Sequence, residues 1–228
     1  MNRPINWERI ESFVGFGSPQ AKVLFLGFEE GLQREADLGA DLTERSAYGS
    51  FEDLYEVQTA LGTASKFFGP DPKSQRTWRP MCHLMLRLDG IASPTKEQRS
   101  RYQADRLGRR DGETLLAELY PYPSSSTQEW PYAERFRSRQ LYYAEMLEKR
   151  SALLRDVIGA GDLSLIVCYT KMAWPAYRAM LQIDKWQAQG DFEVGRYGDA
   201  QVVLSPAFSG RRFNTDMQLQ SFSEIALN

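Results

Sequence analysis

The chain has 228 residues, a formal net charge of −2 and 42% hydrophobic residues, with two cysteines and one histidine. A chain of this length can bury a sizeable core without disulfides, and we expect a single domain over residues 1–228. Two cysteines and one histidine exclude a four-cysteine iron–sulfur cluster and a zinc site of the usual spacing. No apolar run approaches the roughly 20 residues that span a bilayer, and no export signal is recognisable. We therefore expect a cytoplasmic monomer that uses no metal or cofactor and contacts no membrane.

The first half of the chain alternates helical and strand patterns. Apolar residues at helical spacing over residues 6–13 predict a short leading helix. The apolar run that begins near Lys22 predicts a strand buried on both faces, and it ends in Glu29 and Glu30 between two glycines. Ligands of open parallel sheets bind at such carboxyl ends. Further helices are predicted over residues 51–57 and 78–88, and the charged residues 93–113 are predicted to lie on the surface.

The second half continues the alternation of strands and helices. A strand over residues 114–120 brings Glu118 close to its end. We expect Pro121 and Pro123 to end the pairing of this strand, because proline has no backbone donor. The other predicted elements are a helix over 133–158, a strand over 163–169, a helix over 172–181, hairpin-like strands over 192–195 and 201–204, and a final helix that begins at a capping box of Thr215 and Gln218.

Four apolar strands separated by helices predict an α/β fold, a three-layer α/β/α sandwich with a mostly parallel four-stranded central sheet. In such a sheet the loops that follow the four strands meet at one edge. Two of these strands end in carboxylates, and the last loop carries hydroxyls and arginines. The sequence therefore predicts a site at this edge, formed by Glu29, Glu118 and the segment from Ser205 to Arg212.

Two strand-end segments carry a resemblance to a known family. They are Gly27-Phe28-Glu29-Glu30-Gly31 and Ser205-Pro206-Ala207-Phe208-Ser209. With the strand order and the spacing, they resemble the uracil-DNA glycosylase superfamily, whose first motif is Gly-x-Asp/Asn/Ala-Pro-Tyr/Gly and whose last is His-Pro-Ser/Ala. The resemblance spans the chain from Val23 to the final helix. It implies a uracil-DNA glycosylase-like fold and a DNA glycosylase activity that hydrolyses the N-glycosidic bond of a flipped base and leaves an abasic site.

The resemblance also implies roles for single residues. In that family an acidic third residue of the first motif holds the hydrolytic water and stabilises the cationic sugar, and this role falls on Glu29. Glu118 stands near the place of the asparagine that reads the flipped uracil. The chain departs from the family pattern at Glu30, which replaces proline, and at Ser205, which replaces histidine. These departures indicate a divergent member, and the only histidine, His83, is predicted to be structural.

The chemistry of the candidate site favours a modified cytosine as the base. Cleavage of a base–sugar bond develops positive charge on the deoxyribose, which a carboxylate at Glu29 would stabilise. The N4 amino group of cytosine pairs with a carboxylate acceptor, which Glu118 offers. The resemblance implies that Gly31 stands where a larger residue blocks the space beside C5 in uracil-specific members, so that a bulky group on the base would fit here. By resemblance to defence glycosylases of this superfamily, we expect a substrate such as the glucosylated hydroxymethylcytosine of phage DNA and a role in anti-phage defence.

Aromatic, hydroxyl and basic residues near the predicted edge indicate how DNA would be held. An enzyme that acts on a base must take it out of the stack, and it recovers the cost through stacking and phosphate contacts. DNA is therefore the expected partner. The candidates for contact with the flipped base are Phe28, Tyr48 and Phe51, and those for contact with the DNA are Ser205, Phe208, Ser209, Arg211 and Arg212. Among the latter, Phe208 is predicted to act as a wedge or stacking residue.

Three alternatives stay open on the sequence. A uracil-type repair glycosylase would use the same residues on a different base. A non-catalytic module on the same fold would bind DNA or a nucleotide without chemistry at Glu29. A small-molecule hydrolase or nucleotide-binding enzyme is the third, although the chain has neither a Gly-x-x-x-x-Gly-Lys-Ser/Thr phosphate loop nor a Gly-x-Ser-x-Gly nucleophile motif.

Overall fold

A computed structural model describes residues 4–32, 37–124 and 129–228 of the chain. Within these residues, eight strands form one mixed sheet. The strands are β1 (Gly15–Gly17), β2 (Val23–Gly31), β3 (Phe51–Glu52), β4 (Thr114–Ser124), β5 (Leu165–Tyr169), β6 (Gln187–Gln189), β7 (Phe192–Tyr197) and β8 (Ala200–Ser205). Their order across the sheet is β3-β1-β4-β2-β5-β8-β7-β6.

Helices connect most of the strands. In the described ranges they are α1 (Trp7–Ser12), α2 (Leu38–Arg45), α3 (Leu54–Ala60), α4 (Ala64–Phe68), α5 (Trp78–Leu88), α6 (Lys96–Asp105), α7 (Arg139–Ala160), α8 (Trp174–Leu181) and α9 (Asp216–Leu227). Two short 3₁₀ turns, Lys171–Ala173 and Arg211–Phe213, precede α8 and α9. No helix in this part of the chain combines the length and the apolar character that a membrane span requires.

The centre of the sheet is parallel and buried on both faces. β2 pairs in parallel with β4 and β5, and β5 pairs in parallel with β8. Leu24 and Leu26 of β2 pack into one core with residues of α7 and α8, whereas Val23 and Phe25 pack into a second core with residues of α5 and α9. Because successive side chains of a strand point to opposite faces, the two cores lie on opposite sides of the sheet. The arrangement is the predicted α/β fold with helices on both faces.

The prediction of a four-stranded sheet is wrong, because the described residues contain eight strands. β1 and β3 extend one edge beyond β4, and the antiparallel strands β7 and β6 extend the other edge beyond β8. β1 consists of one phenylalanine between two glycines, and β3 has only two residues. Such short segments have no apolar pattern, and they are strands only because the central sheet provides a neighbour for them.

β4 continues through Pro121 and Pro123, which corrects the prediction that these prolines end its pairing. β1 covers only residues 115–117 of β4, and beyond these residues β2 is the one described strand that pairs with β4. A proline is tolerated on such an edge because no donor is needed towards a missing neighbour. The register of β2 and β4 shifts between Glu29 and Gly31, so the irregularity falls at the acidic pair.

The charged residues 93–113 contain α6, which differs from the predicted surface segment. Arg99 and Tyr102 of this helix are buried. The cost of burying the Arg99 charge is offset because its guanidinium donates hydrogen bonds to the carbonyl of Pro94 and to the carboxylate of Asp216. The charge of a residue is thus a poor guide to its burial here, since the partners come from the loop before α6 and from the start of α9.

Two helices begin later than predicted, and each begins after a capping residue. Asp53 accepts hydrogen bonds from the first turn of α3, so the helix starts at Leu54 rather than at residue 51. Ser138 caps α7, which starts at Arg139 rather than near residue 133. The predicted leading helix, the helix over 78–88, the helix before residue 181 and the capping box of the final helix are confirmed.

Candidate functional site

A cavity of about 680 Å³ lies at the carboxyl ends of β2, β4 and β5 and against the loop that follows β8. Its volume falls within the range of about 300–1,000 Å³ that is typical of small-molecule sites. Glu29, Glu30 and Glu118 line it, together with Tyr169 and Phe208. Because parallel strands end at the same edge of a sheet, two acidic segments nearly 90 residues apart in sequence meet in one cavity.

Glu29 lies near the end of β2 with its carboxylate turned towards α7. The side chain is 9% exposed, and its Oε2 accepts a hydrogen bond from Nη1 of Arg139 at 3.2 Å. Its Oε1 is shielded from solvent and has no hydrogen-bond partner among the described residues. Burial raises the pKa of Glu29 to about 7, against the opposing effects of the Arg139 charge and a hydrogen bond with Tyr143. A carboxyl that titrates near neutral pH is suited to take a proton from water.

Arg139 approaches this carboxylate from the first turn of α7. Its guanidinium also donates to Oγ of Ser124 at 3.2 Å and to the carbonyl of Glu129, and it lies 5.2 Å from the ring centre of Trp130. The side chain is 11% exposed. Contacts on several sides therefore hold a cation beside Glu29. Sequence reasoning missed this residue, because nothing in the local pattern indicates which face of α7 meets β2.

Glu118 points over the backbone of Gly27, its register partner on β2. A Cβ on Gly27 would lie 2.0 Å from Oε2 of Glu118, so glycine is needed to leave room for the carboxyl. Oε1 accepts a hydrogen bond from the Tyr169 hydroxyl at 3.0 Å, and Oε2 has no partner among the described residues. Burial, followed by the negative charge of Glu30, raises the pKa of Glu118 to about 8. Glu118 is therefore mostly protonated at neutral pH, and we assign the proton to Oε2 because Oε1 already accepts.

Protonation changes the hydrogen bonding that Glu118 can offer. The sequence predicts a carboxylate that only accepts hydrogen bonds, whereas a carboxylic acid offers a donor beside an acceptor. Such an acid is complementary to the N3 acceptor and N4 donor of cytosine, and equally to the N3 donor and O4 acceptor of uracil. The choice between these bases therefore does not follow from Glu118 alone.

Glu30 is held by a buried arginine. Nη1 of Arg45 donates to Oε2 of Glu30 at 2.6 Å, and Nε of Arg45 donates to Oδ2 of Asp41 at 2.5 Å. The Arg45 side chain is 8% exposed. Although burial disfavours the charge, the two carboxylates raise the pKa of Arg45 above its ordinary value. This network anchors the end of β2 to α2.

Arg150 is a second residue that sequence reasoning missed. It lies on α7, is 1% exposed and lines the cavity. Burial lowers its pKa to about 10, and its charge favours the ionised form of Glu118. The guanidinium fastens the segment before β1 to β4 by donating to the backbone carbonyls of Glu11, Phe13, Glu118 and Leu119.

Besides Glu118, the sequence predicts four residues at the base-binding site. Two of them line the cavity and two do not. Phe28 lines the cavity and packs edge-on against two tyrosine rings. Gly31 is exposed at the rim, and a Cβ there would meet nothing within 4 Å. Tyr48 is buried against two phenylalanine rings, and Phe51 lies in β3 at the edge of the sheet. The last two are corrections, since neither lines the cavity: β1 separates the strand of Phe51 from β4, and Tyr48 lies in the segment before that strand.

The segment from Ser205 to Ser209, which follows β8, is more buried than the sequence predicts. Ser205 has no exposed surface, and its hydroxyl donates to the carbonyl of Pro206, so it does not face a surface that DNA could reach. Phe208 is 2% exposed and its ring stacks on Tyr169 at 4.7 Å. It forms a wall of the cavity instead of a projecting wedge. Ser209 is exposed and also lines the cavity.

Arg211 and Arg212 lie on the surface, in the 3₁₀ turn that joins the cavity loop to α9. Nη2 of Arg212 is 2.5 Å from Oδ2 of Asp191, and its side chain is 63% exposed. Arg211 has no ion pair with any residue that the structure describes. Of the two, Arg211 is therefore the cation more available to a phosphate.

His83 is buried on α5 and does not line the cavity. Burial, followed by the charge of Arg99, lowers the pKa of His83 to about 4, so the imidazole is neutral at physiological pH. Within residues 4–32, 37–124 and 129–228, no group of three or more His, Cys, Asp or Glu side chains has an arrangement that could hold a metal ion.

The site combines a carboxyl that titrates near pH 7 with a second carboxyl that is neutral at that pH, and each has one oxygen without a partner among the described residues. Comparison with known proteins assigns no family to the chain. No family model matches it, and no curated protein matches it. A functional assignment therefore depends on the chemistry of the cavity.

Proposed function

We propose that the protein is a DNA glycosylase that hydrolyses the N-glycosidic bond of a flipped base and leaves an abasic site. The proposed base is a modified cytosine, such as glucosylated hydroxymethylcytosine in phage DNA, which would give the protein a role in defence. The observation that carries the proposal is the pair of carboxyls, Glu29 and Glu118, in one cavity with unpartnered oxygens and raised pKa values. Environments that hold two titratable groups in different protonation states are typical of acid–base catalysis.

Glu29 is the proposed general base. The oxygen of a water molecule forms a bond to C1′ of the deoxyribose, one proton of the water passes to Glu29, and the bond between C1′ and the base breaks. The electron pair of that bond leaves with the base. The carboxylate also offsets the positive charge that develops on the sugar. Because Oε1 is shielded in the free protein, binding of the substrate must turn this oxygen towards the cavity, and catalytic hydrogen bonds often form only in the complex.

Glu118 is the proposed acid. Its Oε2 is also shielded in the free protein, so binding of the substrate must expose it. The Oε2 hydroxyl then donates a hydrogen bond to the base and supplies the proton that the departing base needs, while Tyr169 holds Oε1. The two proton transfers balance, because Glu29 gains the proton that Glu118 loses and solvent restores both. Phe28 offers stacking area to the flipped base from the cavity wall. Ser209 and Arg211 are the proposed phosphate contacts.

A uracil-type repair glycosylase is the second candidate, and one observation favours it. The protonated Glu118 offers a donor beside an acceptor, which also matches the N3 and O4 positions of uracil. The same residues would then catalyse the same bond cleavage on a smaller base. Matched substrates distinguish the two candidates.

The test uses the full-length protein and duplexes that differ in one nucleotide, which carries cytosine, uracil, hydroxymethylcytosine or glucosylated hydroxymethylcytosine. Released bases are identified by mass spectrometry, and abasic sites are detected as strand scission in alkali. We expect release of the glucosylated base in preference to the other three. Preferential release of uracil would support the second candidate. Binding without release from any duplex would favour a non-catalytic module and contradict the proposal.

A further inference from the structure

The cavity is larger than a pyrimidine base requires. A pyrimidine base has about eight non-hydrogen atoms. If each atom takes about 30 Å³, which is the volume of one water molecule in the liquid, the base occupies roughly 240 Å³. The cavity measures about 680 Å³. More than half of the volume therefore remains when a base lies against Glu29 and Glu118.

The remaining volume borders a wall of different chemistry. The carboxyl side of the cavity consists of Glu29, Glu30 and Glu118 at the strand ends. Another part of the lining, here called the amide side, comes from α3, α4 and the segment that enters α5. It consists of Gln58, Phe67, Gln75, Thr77 and Trp78.

Two side-chain amides on the amide side have a fixed orientation. Oε1 of Gln58 accepts a hydrogen bond from the Thr63 hydroxyl at 2.6 Å, and Oε1 of Gln75 accepts one from the backbone N–H of Trp78 at 2.9 Å. The Nε2 group of each glutamine has no hydrogen bond to a residue that the structure describes. The Thr77 hydroxyl makes no capping bond to α5. Hydrogen-bond donors on this wall are therefore available to a ligand.

Aromatic rings lie beside these donors. The ring centres of Phe67 and Trp78 are 5.4 Å apart, and both side chains are only partly buried. Such rings offer apolar area to the C–H face of a ligand, while the amides and the hydroxyl reach its polar groups. A hexose has this combination of an apolar face and hydroxyl oxygens at its rim.

The cations of the described lining are not free to bind an anionic group, and the nearby ammonium of Lys66 lies over the Phe67 ring, 4.9 Å from its centre. The described lining residues of the amide side include no lysine or arginine. The arginines elsewhere in the lining are engaged, because Arg45 binds Glu30 and Asp41 and Arg150 binds backbone carbonyls. The fitting ligand is therefore neutral and hydroxylated.

We propose that the amide side is a subsite for a neutral sugar attached to the base, with Gln58 and Gln75 as donors to its hydroxyl oxygens and Trp78 as the stacking surface. This inference rests on the proposed function, because it assumes that a base occupies the carboxyl side. It deepens that function by making the sugar, rather than the pyrimidine ring alone, the group that the protein selects.

The test measures binding separately from catalysis, in the Glu29→Gln background. Fluorescein-labelled duplexes with one hydroxymethylcytosine or one glucosylated hydroxymethylcytosine are titrated by anisotropy. We expect the glucosylated duplex to bind more tightly. Addition of Gln58→Met and Gln75→Met should weaken only that complex, roughly 5- to 30-fold, as expected for the loss of one or two hydrogen bonds. Gln187→Met on the exposed edge strand β6 is the matched control and should have no effect.

If the two glutamine substitutions together unfold the protein, the same titrations use Gln58→Met alone. The Gln58 side chain hydrogen-bonds only to Thr63 among the described residues, so this single substitution disturbs the fold least. Equal affinity for both duplexes, or an equal loss of affinity for both in the glutamine variants, would overturn the subsite whatever the wild-type protein cleaves. Tighter binding of the glucosylated duplex without base release by the wild type would keep the subsite and overturn the proposed function.

Discussion

The carboxyl of Glu118 occupies the space that a side chain on Gly27 would need. The two residues are partners on adjacent parallel strands, and the carboxyl oxygen would be 2.0 Å from a Cβ on Gly27. The glycine before the acidic pair is therefore required for a close approach across the sheet. This contact positions Glu118 in the cavity while Tyr169 holds its other oxygen.

Gly27→Ala should displace Glu118 and break its hydrogen bond with Tyr169. Because the interior is tightly packed, we expect a loss of about 1–3 kcal/mol in the free energy of unfolding. Base release should fall at least about tenfold, as expected when a catalytic acid is displaced. Thermal unfolding and base release measure the two effects. Gly159→Ala on α7 is the control, because open space surrounds that exposed position and it lies outside the cavity lining. Wild-type stability and activity in Gly27→Ala would refute the importance of this contact.

The activity should depend on pH through both carboxyls. The proposed base works when ionised, so kcat/KM should rise through the Glu29 pKa of about 7. The proposed acid works when protonated, so kcat/KM should fall through the Glu118 pKa of about 8. The profile is therefore a narrow bell. Glu118→Gln keeps a hydrogen-bond donor but no longer titrates, and it should lower the rate and abolish the alkaline limb. A flat profile between pH 6 and pH 9 in the wild type would contradict these roles.

Arg139 should act by setting the protonation of Glu29. Its positive charge opposes the effect of burial, so Arg139→Met should raise the Glu29 pKa and move the acidic limb of kcat/KM to higher pH by about one unit. Arg139→Lys keeps the charge and should restore part of the shift. The readout is the pH profile of kcat/KM, measured at DNA concentrations well below KM. A uniform loss of rate with an unmoved limb would indicate that Arg139 supports only the fold.

Arg211 should contribute a phosphate contact to DNA binding. Arg211→Ala should reduce the slope of log K against log salt concentration by about one. Arg212→Ala should change the slope less, because Arg212 already pairs with Asp191. Anisotropy titrations over a series of salt concentrations give both slopes. Identical slopes for Arg211→Ala and the wild type would show that this arginine faces only solvent.

Features with a local cause could be predicted from the sequence. The uniform apolar run before Glu29 predicts a doubly buried strand, and the Thr215 capping box predicts the start of α9. The meeting of Glu29 and Glu118 follows from the rule that parallel strands end at one edge. The catalytic role of these two residues remains a prediction.

Features that depend on tertiary packing could not be predicted. β1 and β3 have no pattern of their own, and the prolines of β4 are tolerated because β1 ends before them. Arg139 and Arg150 enter the site because of how α7 lies against the sheet. Phe208 forms part of the cavity wall, and not a wedge, because its ring packs against Phe213 and Phe222 as well as Tyr169. No local signal in the sequence encodes these contacts.

The central claim is that the Glu29 carboxyl promotes the departure of a base from DNA. Single-turnover base release tests it most directly, on the duplex that the wild type cleaves best. Glu148→Gln is the matched control, because Glu148 is exposed on α7. We expect wild-type release by the control, and release at least about 100-fold slower by Glu29→Gln with unchanged DNA affinity. Release by Glu29→Gln at the wild-type rate, or no base release by the wild type from any duplex, would contradict the claim.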